Sequence, residues 1–157
     1  MKKLVILTLA LVLVMALVAC ANTKPTQLGT SDLSIILPKG YAAAEDDLDE
    51  DQVAYYYKDD NSIDFDVYQW ETGDEYTLES EANYFAAEYG TVAEAVTVNG
   101  IGGMKYVSAE EYEGYTYTVV NYMFEDDTNI VEICFWTVDT DAEYKAVDEI
   151  INTLKKN

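Results

Sequence analysis

Carboxylates are the reactive groups this chain carries in quantity. Glu45, Asp46, Asp47, Asp49, Glu50 and Asp51 occupy six of seven consecutive positions. Ca²⁺ takes about six to eight oxygen ligands, so such a loop offers several at once. Asp47, Asp49 and Asp51 have the alternate spacing of a calcium loop, but Gln52 stands where an EF-hand has Gly. The second acidic turn, Asp59-Asp60-Asn61 followed by Asp64 and Asp66, departs from that pattern too. The expectation is a solvated, self-repelling loop, with Asp47, Asp49 and Asp51 as the candidate metal ligands. Paired carboxylates also hydrolyse glycosides. Among 30 Asp and Glu, however, some pair falls at any separation, and only burial raises the pKa of a working acid.

Other chemistry is excluded by what is missing. The nine basic residues are all Lys, and there is no His and no Arg. No Ser-His or Cys-His nucleophile, no imidazole base and no bidentate phosphate clamp can be built. The formal charge of -21 rules against nucleic acid, which needs a basic footprint. We therefore expect no catalytic residue, no cofactor and no enzyme.

Aromatic content is the more unusual feature, with 14 Tyr and 2 Trp. In Ile63 to Trp70, period-two alternation puts Ile63, Phe65 and Val67 on one face and Asp64, Asp66, Tyr68 and Trp70 on the other. Tyr68 and Trp70 are the binding candidates. Under a covering helix they are core residues with polar tips. On an open face, aromatics beside acids form a platform for sugar rings or a Lys-rich partner. Cys134 lies in the apolar run Ile133-Cys134-Phe135-Trp136 without a basic neighbour, and reads as a small buried hydrophobe rather than a reactive thiol.

The elements that position these groups begin after an N-terminal leader. Met1-Lys2-Lys3 precedes 16 residues, Leu4 to Ala19, apolar except for Thr8. A membrane-spanning helix needs about 20 apolar residues, so the run reads as a signal peptide. Its boundary, Leu17-Val18-Ala19-Cys20, resembles the lipobox of bacterial lipoproteins. That resemblance implies removal of residues 1–19, a diacylglycerol on the Cys20 thiol, and a tether over 20–30. Residues 31–157 then form a single domain. The alternative is cleavage at Ala19-Cys20-Ala21, which releases a soluble protein.

Within the domain, strands are expected over Leu33–Leu37, Val53–Lys58, Ile63–Trp70, Thr91–Val98, Met104–Ala109, Tyr115–Phe124 and Ile130–Thr137. Asn99-Gly100 and Glu113-Gly114 are hairpin turns. Leu78, Ala82, Phe85, Ala86 and Tyr89 recur at helical spacing between a Thr77 cap and Gly90. A second helix starts at Asp139 or Thr140, carries Val147, Ile150, Ile151 and Leu154 as its stripe, and places Lys155 and Lys156 at its end. Short hairpins and two amphipathic helices define an α+β class, an antiparallel sheet of about six to seven strands packed with the two helices.

The opening strand ending in Pro38-Lys39-Gly40-Tyr41, the helix TLESEANYFAAEYG, the segment VNGIGGMKYV, and ICFWT running into EIINTLKK are similar to the PsbP/Mog1-like fold and the small bacterial lipoproteins that share it. Members of that fold serve as photosystem accessory subunits, as a small-GTPase-binding factor and as exported proteins, and no catalytic motif defines them. The resemblance therefore implies a fold and carries no site residues. The expected function is a lipoprotein anchored to the cell membrane through Cys20, facing the extracytoplasmic side. Its domain is a non-enzymatic binding or accessory module offering an acidic, Tyr-rich surface to a protein or glycan partner. The alternative is a carboxylate-dependent hydrolase of cell-envelope glycan. An enclosed pocket with two converging buried carboxylates favours the hydrolase, and an open acidic and aromatic face favours the binder.

Overall fold

The computed structural model describes residues 24–44, 48–58, 63–73, 76–137 and 140–157. Cys20 and Asp47 lie outside the described residues, as do the Asp59-Asp60-Asn61 turn and Asp139. The strands are β1 (Thr26–Gln27), β2 (Leu33–Ile35), β3 (Ala42–Ala44), β4 (Gln52–Tyr57), β5 (Asp64–Glu71), β6 (Glu94–Val98), β7 (Ile101–Tyr112), β8 (Tyr115–Glu125), β9 (Asn129–Thr137) and β10 (Lys155–Lys156). The helices are α1 (Leu78–Glu88) and α2 (Asp141–Ile151).

Seven strands form one antiparallel sheet in the order β3-β4-β5-β9-β8-β7-β6. It is two meanders joined edge to edge. The single non-sequential contact, β5 on β9, runs over eight residue pairs from Asp64↔Trp136 to Glu71↔Asn129. The hairpins on either side of β7 turn as their sequences require. Asn99 and Gly100 have φ of +50° and +83°, and Glu113 and Gly114 have the same pair of values. Two successive left-handed residues make the turn whose twist matches that of the strands.

The inner faces follow the alternation. On one side Phe65, Val67, Phe124, Val131, Ile133 and Phe135 bury against Val147, Ile150 and Ile151 of α2 and against Leu28, Leu33, Ile35 and Leu154. On the other side the buried residues of α1 are Ala82 and Ala86, packed with Tyr106, Met123 and Ile130. Small residues let this helix approach the sheet closely. Eleven residues rise only about 16 Å, however, and α1 packs on β7 and β8. Part of the face that carries Asp66, Tyr68 and Glu132 is left uncovered by it.

Gly103 is needed for close approach. It pairs with Phe124 across β7 and β8, and a Cβ there would lie 2.5 Å from the Phe124 ring and 2.7 Å from the Met123 carbonyl oxygen. Gly103→Ala is expected to destabilise the domain by about 1–3 kcal/mol, as overpacking does. Denaturant titration of the two proteins checks this, and equal midpoints would show that the ring moves freely.

Three expectations are corrected. Lys155 and Lys156 do not end a helix. Asn152 caps α2, Leu154 drops into the core at 0% exposure, and the two lysines form β10 on β2. The carbonyls of Asn152 and Leu154 are met by the Asn99 side-chain amide, at 2.6 and 3.1 Å, so lysines have no capping role to fill. Lys156 pairs instead with Asp32 and Asp127, at 3.4 and 3.3 Å. The expected tether over 20–30 is too long: Thr26 and Gln27 pair with β2 and Leu28 is fully buried. No strand is expected between Leu37 and Val53, yet the edge strand β3 lies there, and its Ala42, Ala43 and Ala44 pair with Tyr57, Tyr56 and Tyr55.

Candidate functional site

The face of the sheet turned toward α1 is built in transverse rows. Antiparallel pairing sets Tyr68 beside Glu132 and Asp66 beside Cys134, with Asn121 on the far side of Cys134 and Tyr106 beyond Asn121. Directly opposed side chains of an antiparallel pair stand about 5 Å apart, so the rows form a continuous floor. Above it, between α1, the Glu50–Asp51 loop and the segment after β5, lies a cavity of about 560 Å³. A second space of about 390 Å³, lined by Tyr55, Asp64, Tyr112 and Tyr117, shares Asp66 and Trp136 with the first.

Two buried carboxylates stand in the floor. Glu132 is 5% exposed and accepts a hydrogen bond from Tyr106 Oη at 2.6 Å. This is its single hydrogen-bond partner among the described residues, and it occupies one of the two carboxyl oxygens. Burial pushes the Glu132 pKa up to about 7, the Tyr106 hydrogen bond opposes that rise, and Glu110 and Glu81 add to it. Asp66, 7% exposed, is held on both oxygens, by Gln52 Nε2 and by Trp136 Nε1, each at 2.5 Å. Burial raises its pKa, and those two donors partly offset the rise.

The walls are aromatic and acidic. Trp70 packs edge-on to Phe85 of α1 with centroids 5.8 Å apart, and Tyr89 stacks on Tyr106 at 6.4 Å. Burial lifts the Tyr89 pKa to about 12, and burial raises that of Tyr68 too. Glu50, Asp51, Glu71, Glu81 and Glu110 join Asp66 and Glu132 in the lining, and no Lys is part of it. Trp70 Nε1 is buried without a hydrogen-bond partner among the described residues.

Tyr68 and Trp70, singled out by alternation, are brought together here. Trp70 packs against Phe85 of α1, and both Tyr68 and Trp70 are half-buried in the lining of the cavity. Asp49 and Asp51 enter no ligand set: among the described residues no group of three or more Asp, Glu or Cys could hold a metal ion. Asp49 is used in a turn, its carbonyl accepting from Gln52 N at 3.1 Å, and Asp51 lines the cavity. Cys134 is buried and free, with its thiol pKa pushed up by burial and then by Glu132 and Asp66. The residues missed from sequence are Glu132, Tyr106 and Trp136. Glu132 had a readable signal, a lone acid inside the apolar run Ile130 to Trp136.

No protein-family model matches the chain, and no curated protein does. The solved structures that resemble it in fold include these two. One is a Bacteroides thetaiotaomicron protein, with a TM-score of 0.59 and 17% identity, matched over 83% of this chain and 49% of that one. The chain thus spans about half the length of that protein. The other is cyanobacterial PsbP (CyanoP) from Synechocystis, with a TM-score of 0.63 and 10% identity, matched over 85% of this chain and 92% of that one. At such identities the likeness is one of architecture, and the domain has a PsbP-like α+β fold.

Proposed function

We propose that the protein is a bacterial lipoprotein anchored at the extracytoplasmic face of the cell membrane through Cys20, and that its domain is a non-enzymatic binding module. The observation that carries the binding reading is the cavity beside α1, lined by acids and aromatic rings and by no Lys. Its size falls in the range of about 300–1,000 Å³ typical of ligand sites. The anchor reading rests on Leu17-Val18-Ala19-Cys20 behind the apolar run. Among the described residues no helix is long and apolar enough to cross a membrane.

The hydrolase alternative draws on one feature, two buried carboxylates lining one cavity. Asp66 and Glu132 sit on adjacent strands one diagonal step apart in the floor, so both reach a ligand from the same side. A glycosidase needs its pair to flank the scissile bond. Asp66 has both oxygens engaged by fixed donors, which suits an acceptor more than a nucleophile.

Mass spectrometry of the native protein is expected to find Cys20 at the mature N-terminus carrying a diacylglycerol. Cys20→Ser is expected to leave unprocessed or released protein in cell fractions. A processed, membrane-bound serine variant would remove the anchor. Release of reducing sugar from cell-envelope glycan, abolished by Asp66→Asn, would replace the binding module by the hydrolase.

A further inference from the structure

The cavity gathers negative charge over an aromatic floor. Glu132 is 95% buried by accessible area (5% exposed), and one of its carboxyl oxygens has no hydrogen-bond partner among the described residues. An ionised carboxylate in such a place is costly, and the cost is relieved either by taking up a proton or by meeting a counter-charge. The chain provides none, because no Lys lines the cavity, and the chain has neither Arg nor His. The lysine nearest in the register, Lys105 of β7, lies over the Tyr122 ring at 5.1 Å, and Tyr122 belongs to the opposite core. Glu81 and Glu110 add charge of the same sign at the wall.

The rings around this carboxylate are what a cation with carbon substituents uses. Tyr68 is the cross-strand neighbour of Glu132, Tyr106 donates to it, and Tyr89 stacks on Tyr106. Aromatic faces attract an ammonium group at separations within about 6 Å, and more strongly where water is excluded. A bare divalent ion would want several converging oxygens, and among the described residues no such group exists. A neutral sugar would leave the acidic lining of Glu81, Glu110 and ionised Glu132 without a counter-charge.

We infer that this cavity binds a small organic ammonium ion, seated over the aromatic walls with its charge against Glu132. The inference deepens the binding-module reading and rests on it. The shared chemistry is an alkylammonium head, which a free amine supplies directly and a partner protein supplies as a lysine side chain.

Isothermal titration of the full-length lipoprotein in detergent tests this with four probes: choline, putrescine, N-acetyl-lysine amide, and neohexanol as the uncharged isostere of choline. One-to-one saturable binding of choline or putrescine is expected, with none for neohexanol. Glu132→Gln is expected to weaken it about tenfold or more, the usual effect of removing a charged partner. Glu149→Gln, on the exposed side of α2 where Glu149 pairs with Lys145, is expected to change nothing, which separates the site from net charge. Binding of the lysine amide alone would support the ammonium chemistry and assign its source to a protein. No saturable binding of any cation, equal binding of neohexanol, or an unchanged affinity in Glu132→Gln would overturn the inference. The broader reading stands or falls separately, on the lipid at Cys20 and on affinity capture of surface partners by the native protein.

Discussion

Glu132→Gln is expected to stabilise the protein at pH 8 by about 3 kcal/mol and to leave it nearly unchanged at pH 4. The carboxyl pKa is 4.5 in an unstructured chain and about 7 in the fold. A raised acid pKa means that the folded state prefers the protonated form. Below pH 4.5 the residue is neutral in both states and costs nothing. Between 4.5 and 7 the folded state retains a proton that the unfolded state has lost, so stability falls as pH rises. Above 7 both states are ionised, and the full penalty of about 1.4 kcal/mol per pKa unit is in place. Glutamine keeps the acceptor for Tyr106 Oη and removes the charge. The slope over this window is therefore expected to flatten in the variant.

Denaturant unfolding of both proteins from pH 4 to pH 8 checks the claim. The quantity that matters is the difference between them, since every other acid of this chain contributes alike to both. A difference that does not grow with pH would mean that Glu132 is already compensated by a charge close by. The result also bears on function. A group that destabilises its own fold when ionised is a standing cost, and binding sites are where such costs recur.

The structure explains why some of this was legible in the residues and some was not. Turns and caps are local, and they read cleanly. Asn99-Gly100 and Glu113-Gly114 take the left-handed pair their types allow, and Thr77 and Thr140 each close a capping box, with Ser80 and with Glu143. The faces of β5 were set by alternation, because a side-chain period of two admits one buried set. Other features were decided at a distance. Nothing near Ala42–Ala44 marks a strand, since alanine is a poor strand former, and pairing with Tyr55–Tyr57 makes it one. The meeting of β5 with β9 joins segments far apart in sequence, from Glu71↔Asn129 to Asp64↔Trp136, and without it Glu132 and Tyr68 are unrelated. The cavity itself follows from a length, that of an α1 too short to cover the floor.

The back of the same strand pair carries the other large effect. Phe65→Ala is expected to cost about 3–5 kcal/mol, a large share of the roughly 5–15 kcal/mol that stabilises an ordinary domain. Phe65 is fully buried and faces Tyr56 on one neighbouring strand and Phe135 on the other. Its ring centroid lies 4.9 Å from that of Tyr56, 5.0 Å from Phe135 and 5.8 Å from Tyr41. Truncation empties the middle of a four-ring cluster that a close-packed core cannot refill without moving β4 or β9. The penalty is expected to be the same at pH 5 and pH 8, because it arises from lost contact and cavity formation rather than charge. That separates it from Glu132→Gln, whose effect has the opposite sign and grows with pH. Asp64 and Asp66, the neighbours of Phe65 in sequence, line the cavities on the other face. A loss below about 1 kcal/mol would show that the cluster repacks, and a loss that varied with pH would show that the two faces of β5 are not independent.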